Sequence, residues 1–306
     1  AIVRSLKRRG YENTLLTPTH TELNLENIID LRNWFNIYKP TIVVLAAAKV
    51  GGILANMSQP ADFILNNLKI QTNVIETAWD FGVRRFLFLG SSCIYPKFSK
   101  QPIKEEYLLT SELESTNEYY AIAKIAGIKL CESLRNQYGF DAISLMPTNL
   151  YGPGDNYDPK TSHVMASLIR KFCEARKNNL SSVTCWGTGE PLREFLHVDD
   201  LGEAVVFALN KWHPEASNAP LNDLSQTLSY LNVGTGMDIS IKTLSEKIAK
   251  FTDFKGEILW DSSKPDGTPK KQLDISKFLK LGWRPTIDLD KGILKAIASY
   301  KNEYLN

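Results

Sequence analysis

The sequence predicts an α/β fold, a doubly wound parallel sheet carrying a smaller, mixed α/β part. Three observations predict it. Short apolar runs, Pro40 to Ala48, Arg85 to Leu89 and Phe140 to Met146, alternate with helical stretches such as Asn66 to Phe81 and Ala121 to Leu130. Those runs are almost continuously apolar, the pattern of strands buried on both faces. Past residue 155 the alternation loosens into shorter and more polar pieces, which places a boundary there: 1–155 for the sheet, 156–306 for the second part, with segments near 194–236 returning to the first.

In order, Ala1 to Gly10 reads as a helix closed by a glycine, with Ile2, Val3 and Leu6 on its apolar face. Tyr11 to Leu16 reads as strand, and Leu25 to Trp34 as helix. Pro40 to Ala48 is the next strand, opening into Lys49-Val50-Gly51-Gly52. The long helix Asn66 to Phe81 leads to the strand Arg85 to Leu89. Beyond Phe140 to Met146, helix is expected over Val164 to Arg176, strand over Val183 to Gly187, and strand over Arg193 to His197. Asp199-Asp200 is read as the cap of a helix reaching Leu209. Pro214 to Thr227 is Asn/Ser-rich and reads as an exposed loop. Strand Leu231 to Gly234, helix Leu244 to Phe251, loop Ser263 to Pro269 and helix Ile287 to Tyr300 complete the chain. A fold of this kind opens with a strand and a Gly-rich turn, and neither precedes the first helix. The expectation is that about one to two dozen residues of the natural protein come before Ala1.

Composition narrows the function. Apolar residues are 43% and charged residues 23% of 306, and the net charge is +2, which points away from nucleic acid and from acidic membranes as partners. No apolar run is long enough to span a bilayer. Cys93, Cys131, Cys173 and Cys185 form no CxxC pair, so neither a metal site nor a disulfide framework is expected, and a reducing cytoplasm suits them.

The chemistry centres on Tyr120 and Lys124. Four apart on a helix, they share a face, and a neighbouring ammonium would lower the phenol pKa. The spacing alone would equally fit a surface lysine one turn from a half-buried tyrosine. A second element upstream adds weight. The strand Arg85 to Leu89 ends at Gly90-Ser91-Ser92-Cys93, delivering two hydroxyls and a thiol to the edge where ligands bind in open α/β sheets. A cysteine there could also be a small buried hydrophobe, and His163 could merely start a helix. Cys131, Cys173 and Cys185 are read as structural, as is His197.

These residues, with the blocks Ala46 to Ile53, Gly90 to Lys97, Ala121 to Glu132, Met146 to Pro153, Arg193 to Asp200 and Lys264 to Pro269, resemble the extended short-chain dehydrogenase/reductase family. Within it they are similar to the GDP-L-fucose synthase family, over essentially the whole chain. The resemblance implies a Rossmann-like, NADP(H)-binding fold, a GDP-sugar substrate and a homodimer built on the helices following Asn66 and Tyr119. The implied reaction turns GDP-4-keto-6-deoxy-D-mannose into GDP-L-fucose by inversion at C3 and C5 followed by C4 reduction. A related epimerase or reductase, such as a GDP-colitose synthase, or a catalytically silent dinucleotide-binding scaffold, are the alternatives.

By the same resemblance, Cys93 and His163 are the acid–base pair, and Ser91 holds the C4 oxygen. Tyr120 protonates that oxygen, and Lys124 grips the nicotinamide ribose. Cofactor contacts are expected from Leu89, Gly90, Ser91, Ser92, Lys124, Pro147, Thr148, Asn149, Leu150 and His163, with His20 near the adenosine 2′-phosphate. Lys171, Trp186, Arg193 and Asp266 are expected to bind the substrate: the cations its phosphates, Trp186 a base or sugar face, Asp266 hydrogen-bond donors of the nucleotide.

Overall fold

The computed structural model describes residues 1–305. In chain order it forms α1 (Ile2–Arg8), α2 (Ile28–Tyr38), β1 (Ile42–Leu45), α3 (Ile53–Ser58), α4 (Pro60–Asp80), β2 (Arg85–Leu89), α5 (Glu118–Tyr138), β3 (Ala142–Pro147), β4 (Asn149–Tyr151) and α6 (Val164–Lys177). There follow β5 (Ser182–Trp186), β6 (Leu192–His197), α7 (Val198–Lys211), β7 (Tyr230–Val233), β8 (Asp238–Ser240), α8 (Ile241–Thr252), β9 (Glu257–Asp261), β10 (Lys270–Lys271), α9 (Ser276–Lys280) and α10 (Leu289–Tyr304).

A parallel sheet of order β1-β2-β3-β7 forms the base, with Leu89 opposite Leu145 at its carboxyl edge. Every residue of β2 and β3 is buried, so a sheet covered on both faces is what their unbroken apolar runs encode. Arg85 opens β2 from inside the protein because its charge is met: it pairs with Asp141 and donates to the Ala208 carbonyl at 3.3 Å. The outer edge of β1 has no strand partner among the described residues, and Ile42 there is exposed.

A second sheet, β10-β6-β4 with β8 antiparallel to β6, and a two-stranded parallel pair, β5-β9, make the rest. The hydrophobic side chains fall into two cores. One gathers around β2 and β3 and takes in Leu196, Leu201, Leu231 and Phe278; the other gathers Phe172, Phe195, Leu244 and Ile293. Strand β6 runs between them, turning Phe195 to one and Leu196 to the other.

Glu194, on the same strand, is fully buried. Its carboxylate accepts from the backbone N–H groups of Gly236 at 2.8 Å, Thr235 at 2.5 Å and Leu273 at 2.7 Å. Burial raises its pKa, and those bonds oppose the shift. One carboxylate thus ties β6 to the segments after β7 and β10.

Three expectations are corrected. Tyr11 to Leu16 is not a strand: Glu12–Thr14 is a 3₁₀ turn, with Thr14 N–H donating to the Tyr11 carbonyl at 3.1 Å. No described strand lies alongside to supply a ladder, and Asn13-Thr14 favour the turn. The cap of α7 is His197 rather than Asp199 or Asp200, its Nδ1 accepting the Asp199 N–H at 3.2 Å. Asp199 instead pairs with Arg4 of α1 at 2.6 Å. Helix α2 starts three residues later than expected, where the Asn27 side chain accepts from Ile29 and Asp30. No helix among the described residues is long and apolar enough to cross a membrane.

Candidate active site

The site is assembled at the carboxyl edge of the main sheet. Beyond β2 the chain enters a single 3₁₀ turn, Ser92–Ile94, capped by Ser91, whose Oγ accepts the Cys93 N–H at 3.2 Å. That bond uses one lone pair of the hydroxyl, and a second hydrogen bond joins Ser91 to Tyr120. Cys93 is the one half-exposed cysteine; Cys131, Cys173 and Cys185 are buried as packing residues. Its Sγ is met by Asn117 Nδ2 at 3.4 Å and Lys271 Nζ at 3.7 Å.

Helix α5 brings Tyr120 and Lys124 to the same place. Lys124 is buried, and its Nζ donates to the Leu89 carbonyl at 2.9 Å. The ammonium also lies 4.7 Å from the Phe88 ring centroid and 5.9 Å from that of Tyr120. Burial lowers its pKa to about 8. An ammonium has three donors. With one on Leu89, two remain for ligand hydroxyls, which fits the grip on a ribose that the resemblance implies.

The expected fall in the Tyr120 pKa is corrected. Burial drives it upward, the nearby Cys93 adds to the rise, and a hydrogen bond with Ser91 only opposes it. Without a cation in direct contact, loss of solvation wins. The phenol therefore keeps its proton at neutral pH.

Gly90 is pinned against the Met146 side chain, and Ser92 is buried. Pro147 ends β3 beside Val233. Thr148 Oγ1 and Asn149 Nδ2 both donate to the Glu194 carbonyl, at 3.1 and 2.8 Å, so they lock strand ends together, while Leu150 packs half-buried against the main core. Leu89 to Ser92 and Pro147 to Leu150 therefore form adjacent lips of one sheet edge.

His163 opens α6 with no side-chain cap bond. Its ring has an open side, yet the atoms packed around it disfavour the imidazolium and lower its pKa. The chain just before it touches the loop after β1, where the Gly52 N–H donates to the Thr161 carbonyl at 2.9 Å.

The opposite wall holds the expected substrate residues. Lys171 donates to the Thr184 carbonyl at 2.8 Å, and burial lowers its pKa. Its Nζ lies 5.6 Å from the half-exposed Trp186 ring, as does Lys264 Nζ. Arg193 donates to the Asp266 carbonyl at 3.1 Å; burial lowers its pKa, and the neighbouring Cys93 opposes that shift. Asp266 is more committed than expected. Its carboxylate accepts from the Thr188 N–H and Oγ1, each at 2.8 Å, and so shapes the turn after β5.

His20 stands apart, exposed on the turn before α2 and without a hydrogen bond or ion pair among the described residues. Sequence reasoning missed Asn117, Lys271 and Lys264 as neighbours of the site. Asn117 lies one turn before Tyr120, a signal that could have been used. Lys271 sits on a two-residue strand that no local pattern marks.

The description of the NAD dependent epimerase/dehydratase family matches residues 1–220. The chain belongs to this family. Among epimerase/dehydratase relatives, it is 51% identical over 306 residues to GDP-L-fucose synthase 1 of Arabidopsis thaliana, covering 100% of this chain and 90% of that one. It is 50% identical over 293 residues to GDP-L-fucose synthase of Escherichia coli K12, covering 96% and 90%. A solved structure of MlghC, a GDP-mannoheptose C4 reductase from Campylobacter jejuni with NADP bound, superposes with a TM-score of 0.86 at 36% identity, over 98% of this chain and 93% of the other.

Proposed function

We propose that this epimerase/dehydratase-family chain is an enzyme that makes GDP-L-fucose from GDP-4-keto-6-deoxy-D-mannose, with NADPH as reductant. The observation that carries the reading is the convergence of Ser91, Cys93, Tyr120 and Lys124 at the end of β2, in a chain half identical to proteins named for that activity.

A ketone at C4 acidifies the C3 and C5 protons, because the electrons left behind spread onto the C4 oxygen. The Ser91 hydroxyl steadies that oxygen as it gains charge. Of Cys93 and His163, one removes the carbon proton as base and the other returns a proton to the opposite face as acid, which inverts the centre. The lowered pKa of His163 keeps its imidazole neutral and able to accept a proton near pH 7. Lys124 and the lips Leu89 to Ser92 and Pro147 to Leu150 would hold NADPH, which would supply the hydride for C4 in the final step. Tyr120 gives its phenolic proton to the C4 oxygen, so the ketone becomes an alcohol and the phenolate is refilled from solvent. Arg193 and Lys171 face the diphosphate, and Trp186 offers its ring to base or sugar.

The two cores support a division of labour, a cofactor part built mainly from 1–155 and a substrate part mainly from 156–306. Leu65, Tyr119 and Ile122, exposed on α4 and α5, support a homodimer through those helices. Four unpaired cysteines suit a cytoplasmic setting.

The test is direct. The protein is mixed with GDP-4-keto-6-deoxymannose and NADPH, nicotinamide absorbance is followed, and the sugar is identified by NMR. GDP-L-fucose is the expected product. GDP-rhamnose would mean reduction without inversion and would remove Cys93 and His163 from the mechanism. No consumption with NADPH bound would leave a binding module.

A further inference from the structure

The loop that follows β1 touches the His163 arm and is anchored on the helix pair that carries Tyr120. We propose that Gly52 and Asn56 are positioning residues, setting where His163 stands relative to Tyr120. This rests on the reading of His163 as one of the two proton-transfer groups.

The segment leading to His163 is largely self-folded. The Asp158 carboxylate accepts from the N–H groups of Lys160 and Thr161, at 2.9 and 3.0 Å, and from Thr161 Oγ1 at 3.0 Å. It packs directly against Gly52, whose N–H donates to the Thr161 carbonyl at 2.9 Å. The approach leaves no room for a side chain: a Cβ on Gly52 would lie 2.7 Å from the Ser162 carbonyl oxygen. Gly52 has φ −66° and ψ −179°, a conformation open to any residue. Glycine is required there by closeness, not by backbone strain.

Asn56 holds this glycine in place. It is 6% exposed, and its Nδ2 donates to the carbonyls of Gly51 at 2.8 Å and Gly52 at 3.0 Å. Those two bonds fix the orientation of the amide. The other end of the loop is fastened by Asn67 of α4, which accepts the Lys49 N–H and donates to the Lys49 carbonyl, both at 3.0 Å, and to the Phe63 carbonyl at 2.7 Å. Phe63 in turn stands edge-on to the Tyr120 ring, 6.4 Å between centroids. A chain of short bonds and contacts therefore runs from Tyr120 through Phe63 and the glycine pair to the residues preceding His163. A carboxylate at position 56 would accept only, and would oppose two carbonyl oxygens.

The test uses two readouts on the intact chain. One is deuterium incorporation at C3 and C5 of the keto-sugar in D2O, which needs His163. The other is NADP⁺-dependent oxidation of GDP-L-fucose, which needs Tyr120 and Lys124. Gly52→Ala and Asn56→Asp are each expected to lower deuterium incorporation ~10- to 100-fold while oxidation stays within about threefold. In a His163→Gln background, Gly52→Ala is expected to change incorporation by less than about twofold, because it acts through that residue. Should Asn56→Asp fail to fold, Gly52→Ala carries the test alone. Unchanged incorporation in Gly52→Ala, an equal fall in both readouts, or a full additional loss on top of His163→Gln would each overturn the proposal. If His163→Gln alone keeps wild-type incorporation, the reading of His163 fails, and the positioning role falls with it.

Discussion

The two walls of the cleft are built differently. The wall bearing Ser91, Cys93, Tyr120 and Lys124 stands on a buried strand and a 21-residue helix. Its key cation is buried with a single acceptor. The wall bearing Lys171, Trp186, Arg193 and Asp266 draws on a 14-residue helix, two short strands and a loop, with Trp186 49% exposed. Its polar groups are already bonded to one another: Lys171 to Thr184, Arg193 to the Asp266 backbone, Asp266 to Thr188. The first wall is held in place by its own buried bonds, the preorganisation that transition-state stabilisation requires. On the proposed reading, the second would exchange internal bonds for ligand bonds. Mutations should therefore split by wall, the first changing kcat and the second KM.

The largest effect is expected from Tyr120→Phe: about a 10³-fold loss of hydride transfer, with C3/C5 deuterium incorporation nearly intact. Cys93→Ser should do the reverse, lowering incorporation by ~10²-fold and leaving oxidation of GDP-L-fucose largely unaffected. Equal losses of both steps in both variants would erase the division within the first wall.

Lys124→Met sharpens the contrast through stability. In the fold the Lys124 pKa is about 8, below its ordinary 10.5, so between those values the unfolded chain binds more protons. The burial penalty is full below about pH 8 and fades as pH rises toward 10.5. Replacing the cation should therefore stabilise the cofactor-free protein by about 1–2 kcal/mol at pH 7, read by urea unfolding, and the gain should shrink by pH 10. Turnover should be lost in the same variant.

On the second wall, Arg193→Lys should raise KM for the sugar nucleotide ~10-fold with kcat within threefold, since a point charge replaces a fork. The smallest effect is expected from Asp266→Asn. It keeps one acceptor for Thr188, so KM should rise only about two- to threefold in steady-state kinetics.

Much of this was legible in the sequence. Arg85 to Leu89 was read to the residue, because a strand buried on both faces writes its limits in apolar side chains. Tyr120 and Lys124 were legible only because a strand ending in Gly90-Ser91-Ser92-Cys93 lay upstream of their helical spacing. The direction of the Tyr120 shift was not, because desolvation depends on what folds over the ring. Strands β8 and β10, of three and two residues, exist only through pairing with β6, a partner distant in sequence. No local pattern could reveal them, and with them went Lys271. Tyr11 to Leu16 failed for the converse reason, strand-like residues with no ladder beside them.

The buried Glu194 has a mechanical meaning. Its carboxylate grips the backbone after β7, which belongs to the main sheet, and the backbone after β10, while its own strand carries Arg193. Such a rivet removes a degree of freedom: Arg193 cannot swing away from Cys93 as part of a hinging body without stripping a buried anion of its donors. The stretch from Ser263 to Thr268 lies outside the rivet and is held separately, by the Asp266 carboxylate on Thr188.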